Sequence, residues 1–468
     1  MKTQKKRITQ ALIAGGILLG GNLAYADDRE EIEKLRALVQ ELDQKIKVLD
    51  RKSELAAEEA AAKKKETPIV TAGDKGFSLK SADGNFEFKL RGLLQADSRT
   101  FFGDDSTGGV AGTSLDDEYL LRRVRPTFEG TVFGKYDFRF TPDFAPEAAN
   151  VQDAYINARF TPWFKVQAGK FKVPYSLERL QSGGDLRFVE RSYVSNALLP
   201  NRDIGIQLHG DLFEGKLNYA AGVFDGVSEG GSNATNRDNG NASKDKEFVA
   251  RLFAEPFKGT DSILAGLGFG IAAGTSDYKR DGFLNPQFRS PGQLTFFTYN
   301  GDVVGDGEQT RISPQFYYYY GPLGVLGEYA RVKHDLVRNG NEDTLEHDGW
   351  QLATSYVLTG EDNSFKGITP KRNFDFDKGQ WGAWEIALRY SELNVDENAF
   401  DDAAGIRFAN AASTTESASS WAAGLNWYLN KYVKLQTTYE QTKFDSAFEN
   451  VRDRDTERVL FSRFQVSF

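Results

Sequence analysis

The sequence predicts an all-β protein, a sixteen-stranded antiparallel transmembrane β-barrel preceded by a short N-terminal α-helical coiled coil. Three observations point there. First, from about residue 77 to the last residue, short runs alternate apolar and polar side chains, with no helical period between them. Second, aromatic residues make up 13% of the chain, with 35 Phe, 19 Tyr and 46 Gly, yet mean hydropathy is -0.50. A barrel strand is apolar on one face only, so its mean hydropathy stays low. Third, the connections between runs alternate between tight turns and long polar loops, as in a membrane barrel.

Residues 1–26 read as a secretory signal peptide. Lys2, Lys5, Lys6 and Arg7 form the positive start, "ALIAGGILLGGNLA" the apolar middle, and Ala24-Tyr25-Ala26 the small-x-small cleavage site. Cleavage removes four positive charges and no negative ones, taking the formal charge from -9 to -13. No later stretch approaches the ~20 apolar residues of a spanning helix. The chain has no cysteine, so no disulfide framework holds it.

Residues 27–66 form the second segment. Ile32, Leu35, Val39, Leu42, Ile46 and Leu49 alternate spacings of three and four, an a/d heptad seam. The stripe is narrow and precedes any strand pattern, which favours a coiled coil over a helix packed on its own domain. Thr67-Pro68 ends it.

The barrel domain is expected over 77–468. In "FEFKLRGLLQAD", Phe86, Phe88, Leu90 and Leu94 share one face, and Glu87, Lys89, Arg91 and Gln95 the other. Sixteen such segments begin near residues 84, 119, 135, 151, 164, 203, 215, 247, 264, 309, 324, 348, 381, 420, 432 and 458. Tight turns are read at 133–135, 161–163, 321–324 and 429–432. Long loops are read at 98–118, 171–202, 225–246, 275–308, 334–347, 392–418 and 442–457. An even count puts both barrel ends in the periplasm, with the coiled coil. One connection departs from the pattern: 359–380 should be a short turn and is long. In the closing "VLFSRFQVSF", Leu460, Phe464, Val466 and Phe468 share a face, and in "GLNWYLN" Leu425 and Trp427 should face lipid and Asn426 the lumen.

The stretch 169–192 gathers Lys170, Lys172, Arg179, Arg187 and Arg191 against Glu178, Asp185 and Glu190, in an otherwise acidic chain. By strand count it lies in the third long external loop. "AGKFKVPYSLERLQSGGDLRFVERS", "NALLPNRDIGIQLHG", "GWQLATSYVLTGE", "WGAWEIALRYSEL" and "GLNWYLN" together resemble the phosphate-selective porin O and P family. The resemblance spans essentially the whole barrel. It implies an outer-membrane homotrimer that passes small anions such as phosphate or polyphosphate, with the third loop folded inward. The five basic residues named above would then line the constriction. "SLERL" could form a short helix, with Glu178 and Glu190 pairing with Arg179 and Arg191.

Parity alone sends Lys89, Arg91, Arg123, Arg125, Arg139, Arg159, Arg251, Arg311, Arg389, Lys434 and Arg463 to the lumen, against nearly as many carboxylates. Family members with high phosphate affinity bring lysines from a later loop. Here 275–308 offers only Lys279, Arg280 and Arg289. That departure keeps a general or sugar/aromatic small-solute porin open beside the anion channel, with Tyr317 and Tyr319 as inward rings. The histidines, His209, His334 and His347, are scattered and suggest no metal site. "GLGFGIAAG" lacks dinucleotide-loop spacing, and there is no nucleophile elbow. The expected protein is a channel in the outer membrane of a Gram-negative bacterium. Its partners are lipid and small anionic solutes, with no enzyme activity, cofactor, metal or nucleic-acid partner.

Overall fold

The computed structural model describes residues 27–73, 76–102, 116–145, 149–228, 230–231, 246–283, 287–402 and 407–468. The signal-peptide segment and the polar stretch 232–241 lie outside the described residues.

Two compact units divide at Thr67. The first contains one long helix, α1 (Asp27–Glu66). Its surface pairs Glu30 with Lys34, Glu41 with Lys45 and Asp43 with Lys47. Each acid lies one turn N-terminal to its base, the stabilising orientation. The six heptad residues are between 48% and 64% exposed, so this chain alone leaves the stripe uncovered.

The second unit is a barrel of sixteen antiparallel strands. They are β1 (Glu87–Phe101), β2 (Glu118–Val132), β3 (Tyr136–Asp143), β4 (Asn150–Thr161), β5 (Phe164–Lys172), β6 (Arg202–Leu212), β7 (Leu217–Phe224) and β8 (Glu247–Ala254). The second half is β9 (Leu267–Phe283), β10 (Val304–Tyr320), β11 (Leu323–Arg338), β12 (Asn341–Val357), β13 (Ala383–Asn394), β14 (Thr415–Tyr428), β15 (Val433–Ser446) and β16 (Glu457–Ser467). Each pairs with its chain neighbour, and β16 closes on β1 through Phe461↔Arg99 and Arg463↔Asp97. A hairpin, Ile69–Gly73 with Gly76–Lys80, extends the sheet beneath that seam by pairing Phe77 with Leu90.

The wall is polar inside and apolar outside. On β13, Glu385 and Arg389 are buried while Ile386 and Leu388 are exposed. A soluble sheet would reverse this; lipid outside and a polar lumen require it. Leu425 is exposed and Asn426 fully buried, the expected register. Stacked Trp384 and Trp427 lie near the turn end of the wall, and Trp421 packs on Tyr439 farther up. Paired aromatic bands of this kind sit at membrane interfaces.

One expected loop is not a loop. Residues 334–347 continue β11 and β12, joined by Asn339-Gly340 with φ of 52° and 80°. Asn-Gly suits a two-residue turn that needs positive φ at both positions, and its twist matches the strands. The charged run around it is a wall rim. The buried apolar core lies inside the barrel, where loop residues such as Tyr175, Val194 and Leu198 meet Ala330, Val332 and Phe444 of the wall.

Candidate functional site

The third loop, 173–201, enters the barrel and fills much of its cross-section. Tyr175 anchors the entry: its hydroxyl donates to Glu247 at 2.6 Å. Arg311 donates to the same carboxylate at 2.5 Å. Leu177–Leu180 form one helical turn, with Ser176 accepting from the Arg179 amide at 3.0 Å. Glu328 of β11 accepts from the Leu177 and Glu178 amides, so a wall carboxylate caps the turn. Leu177 packs on Phe253 and Leu326.

The loop's own charges mostly hold it in place. Arg179 donates to Ser195 O and Asn196 Oδ1, and Arg191 to Glu178 O and Gln181 O. Glu178 accepts from the Ser192 amide and hydroxyl at 3.1 and 2.9 Å. Glu190 accepts from Arg122 at 2.7 Å. Burial alone would raise the Glu190 carboxyl, but Arg122 holds it well below the usual carboxylate range. The expected Glu178–Arg179 and Glu190–Arg191 pairs are therefore not formed. The wall offers stronger partners than the loop's neighbouring residues, because Arg389 reaches Glu440, Glu178 and Glu190 O together.

Arg187 joins three elements. It donates to Glu385 at 3.0 Å, Ser355 Oγ at 2.9 Å, Asn363 Oδ1 at 2.5 Å and Ser364 O at 2.8 Å. Asn363 and Ser364 belong to the long connection 358–382, which enters the barrel from the turn end. Its Phe365 packs against the cluster of Leu177, Phe253 and Leu326, and the Gln181 amide donates to Phe365 O at 2.7 Å. The connection is long because it is the second inward segment, and it meets the loop inside the barrel.

These two segments leave a cavity of about 640 Å³ on the turn side of their junction. Nine basic residues line it: Lys89, Arg91, Arg125, Arg139, Lys172, Arg202, Lys366, Lys431 and Lys434. Two carboxylates do, Asp153 and Asp185. Arg91 and Arg139 share Glu129, Arg125 pairs with Asp143, Arg202 with Asp153 and Lys89 with Glu87. Lys172 donates to Leu180 O and Gln181 O, and Lys434 to Gly184 O and Leu186 O. Lys366 and Lys431 make no ion pair or hydrogen bond with any described residue. Burial pushes the Asp185 carboxyl up, against the pull of Lys434, Arg187, Lys172 and Lys366.

The residues expected from sequence divide accordingly. Lys89, Arg91, Arg125, Arg139 and Lys172 line the cavity. Arg123, Arg389 and Arg463 face inward but are covered by the loop or paired, Arg463 with Asp97 at 2.6 Å and Arg123 with Gln95. Arg179, Arg187 and Arg191 are buried fasteners. Lys170 pairs in register with Ala154 and Ile204, the parity of exposed Ile156 and Ile206, yet it is itself buried, and it does not line the cavity.

Sequence parity missed four contributors. Lys431 sits in the tight turn read at 429–432 and lines the cavity. Lys366 sits in the connection whose length was anomalous. Arg202 opens β6, just where the loop ends. Arg122 lies at a β-bulge, since Gln95 pairs with Arg123 but Ala96 with Leu121. The extra residue lets consecutive arginines both reach the interior.

The mouth opposite is built from aromatic side chains. A hairpin, Gln287–Arg289 with Thr295–Thr298, packs Phe288, Phe296 and Phe297 inward, Phe296 against Tyr193 and Phe444. The side chains of Lys279 and Arg280 lie outside the described residues. Tyr317 and Tyr319 face inward but do not line the cavity, since Phe365 stacks on Tyr317 and Arg187 lies over Tyr319.

The family model described as "Phosphate-selective porin O and P" matches residues 88–468. Porin O of Pseudomonas aeruginosa is 25% identical over 429 residues, covering 86% of this chain and 92% of its own. Among solved structures, the outer membrane channel DcaP of Acinetobacter baumannii superposes with a TM-score of 0.52 at 12% identity. That match covers 85% of this chain and 99% of DcaP, and speaks for the fold.

Proposed function

The chain belongs to the phosphate-selective porin O and P family and is an outer-membrane porin for anions; from that premise we propose that anions leave the lumen through the basic cavity at the junction of loop 173–201 and connection 358–382. The single observation that carries this is the lining, nine basic residues against two acidic ones. Net charge does not oppose it. Screening acts over about 8 Å at physiological salt, so carboxylates on distant loops contribute little. A unit charge at about 4 Å is worth about 4 kcal/mol at an effective dielectric of 20.

In this reading Arg91, Arg125, Arg139 and Arg202 form a compensated rail along one wall, and Lys172, Lys434, Lys366 and Lys431 supply the uncompensated charge. Arg179, Arg187 and Arg191 act one step back, by fixing the loop that shapes the cavity. A neutral-solute pathway is less favoured because the inward tyrosines of β10 are covered by Phe365 and Arg187. The direct test is Lys366→Glu combined with Lys431→Glu. Neither lysine holds the fold together, so the barrel should assemble, and anion preference in a salt gradient should fall. Unchanged preference in assembled channels would sink this path.

The reading includes three further parts. Residues 1–26 direct export and are removed. Helix 27–66 lies in the periplasm, and residues 77–468 form the membrane domain. Three helices associate through the Ile32–Leu49 stripe into a coiled coil, making a trimer; the exposure of all six apolar residues in the single chain supports association, and the number three rests on the family resemblance.

A further inference from the structure

Asp185 is the one carboxylate lining the cavity that has no ion pair among the described residues; the other, Asp153, is held by Arg202 at 2.9 Å. No described donor hydrogen-bonds to its side chain. Its backbone is fixed at both ends, the amide donating to Ser182 O at 3.1 Å and the carbonyl accepting from Gln181 Nε2. The side chain rests against Gly367, where an added Cβ would lie 3.4 Å from Oδ1. Lys366 is the next residue, and Lys172 and Lys434 are anchored to carbonyls on either side of Asp185 in the loop. A negative group is thus held in the lining of a basic cavity, with no ion pair or hydrogen bond to its carboxylate among the described residues.

We propose that Asp185 sets the charge specificity of the channel: it stands among these lysines as a fixed competitor for the permeating anion, shortening the stay of multiply charged anions more than of singly charged ones. This rests on the anion path proposed above. Conduction needs binding strong enough to admit an ion and weak enough to release it. Coulomb energy scales with the product of the charges, so a fixed carboxylate repels a dianion twice as strongly as a monoanion. The fold-change in binding for the dianion is then the square of that for the monoanion. At about 8 Å in water-like surroundings, that is about 2.4-fold for chloride and about 6-fold for hydrogen phosphate.

The variant is Asp185→Asn, nearly isosteric and removing no hydrogen bond. Channels in planar bilayers are titrated at pH 8.5 with chloride and, separately, with phosphate as a blocker of the chloride current. The half-blocking phosphate concentration should fall about 6-fold, and half-saturation by chloride about 2.4-fold. Lys366→Gln should move both values the opposite way. Equal shifts for the two anions, or none, overturn the proposal while leaving the anion path standing. A wild-type channel that prefers cations removes the path and the proposal together.

Discussion

Arg187, expected from sequence at the constriction, is in the structure the knot between loop, wall and connection. The difference lies in its partners. Glu385, Ser355, Asn363 and Ser364 come from the far half of the chain, and no local pattern brings them together. Removing one member of a buried pair costs roughly 3–5 kcal/mol because the other charge is left uncompensated. Arg187→Ala should therefore release loop 173–201, so that trypsin cuts at Arg191 in folded barrels and single-channel conductance rises. Resistance to trypsin with wild-type conductance would mean the loop is held elsewhere. Gly274 is a second such position. A Cβ there would overlap the Tyr175 hydroxyl, so the glycine opens the space that lets Tyr175 reach Glu247. Gly274→Ala should displace the loop entry and change conductance without changing the yield of assembled barrel. Lys170 and Lys172, two residues apart, could be read as one face from parity. Lys172 reaches the cavity because the chain is already leaving β5 and its amine bonds to Leu180 O and Gln181 O, contacts visible only in three dimensions.

At the scale of elements, the strands were legible because period-two alternation is strong wherever one face meets lipid. Adjacent residues Leu425 and Asn426 make this measurable. Leu425→Arg places a cation in lipid, at a cost of about 2–4 kcal/mol near the midplane. Asn426 donates to Arg187 O at 3.0 Å and to Glu385 at 3.1 Å, so Asn426→Ala should spare the wall and loosen the loop. Urea titration in vesicles should show the first loss, and conductance noise the second; similar urea midpoints for the two variants would refute the register. The rim of β11 and β12 was misjudged because charged residues resemble a loop. Asn339-Gly340 was the signal that they form a tight hairpin. The connection 358–382 was legible only as an anomaly of length. Its inward course depends on Phe365 finding Leu177, Phe253 and Leu326, which no spacing encodes.

For the whole molecule, the helix and the barrel make separate claims. If the heptad stripe assembles three chains, a cysteine placed at Leu42 should crosslink neighbouring helices, and monomers in mild detergent should be rare. Persistent monomers would contradict the trimer. The central claim concerns the barrel: an acidic protein builds an anion channel because its positive charge is concentrated where two inward segments narrow the lumen. The zero-current potential of the wild-type channel across a tenfold potassium chloride gradient tests this most directly. The account predicts a potential displaced toward that of a chloride-permeable membrane. A potential of the opposite sign, toward potassium, would contradict it.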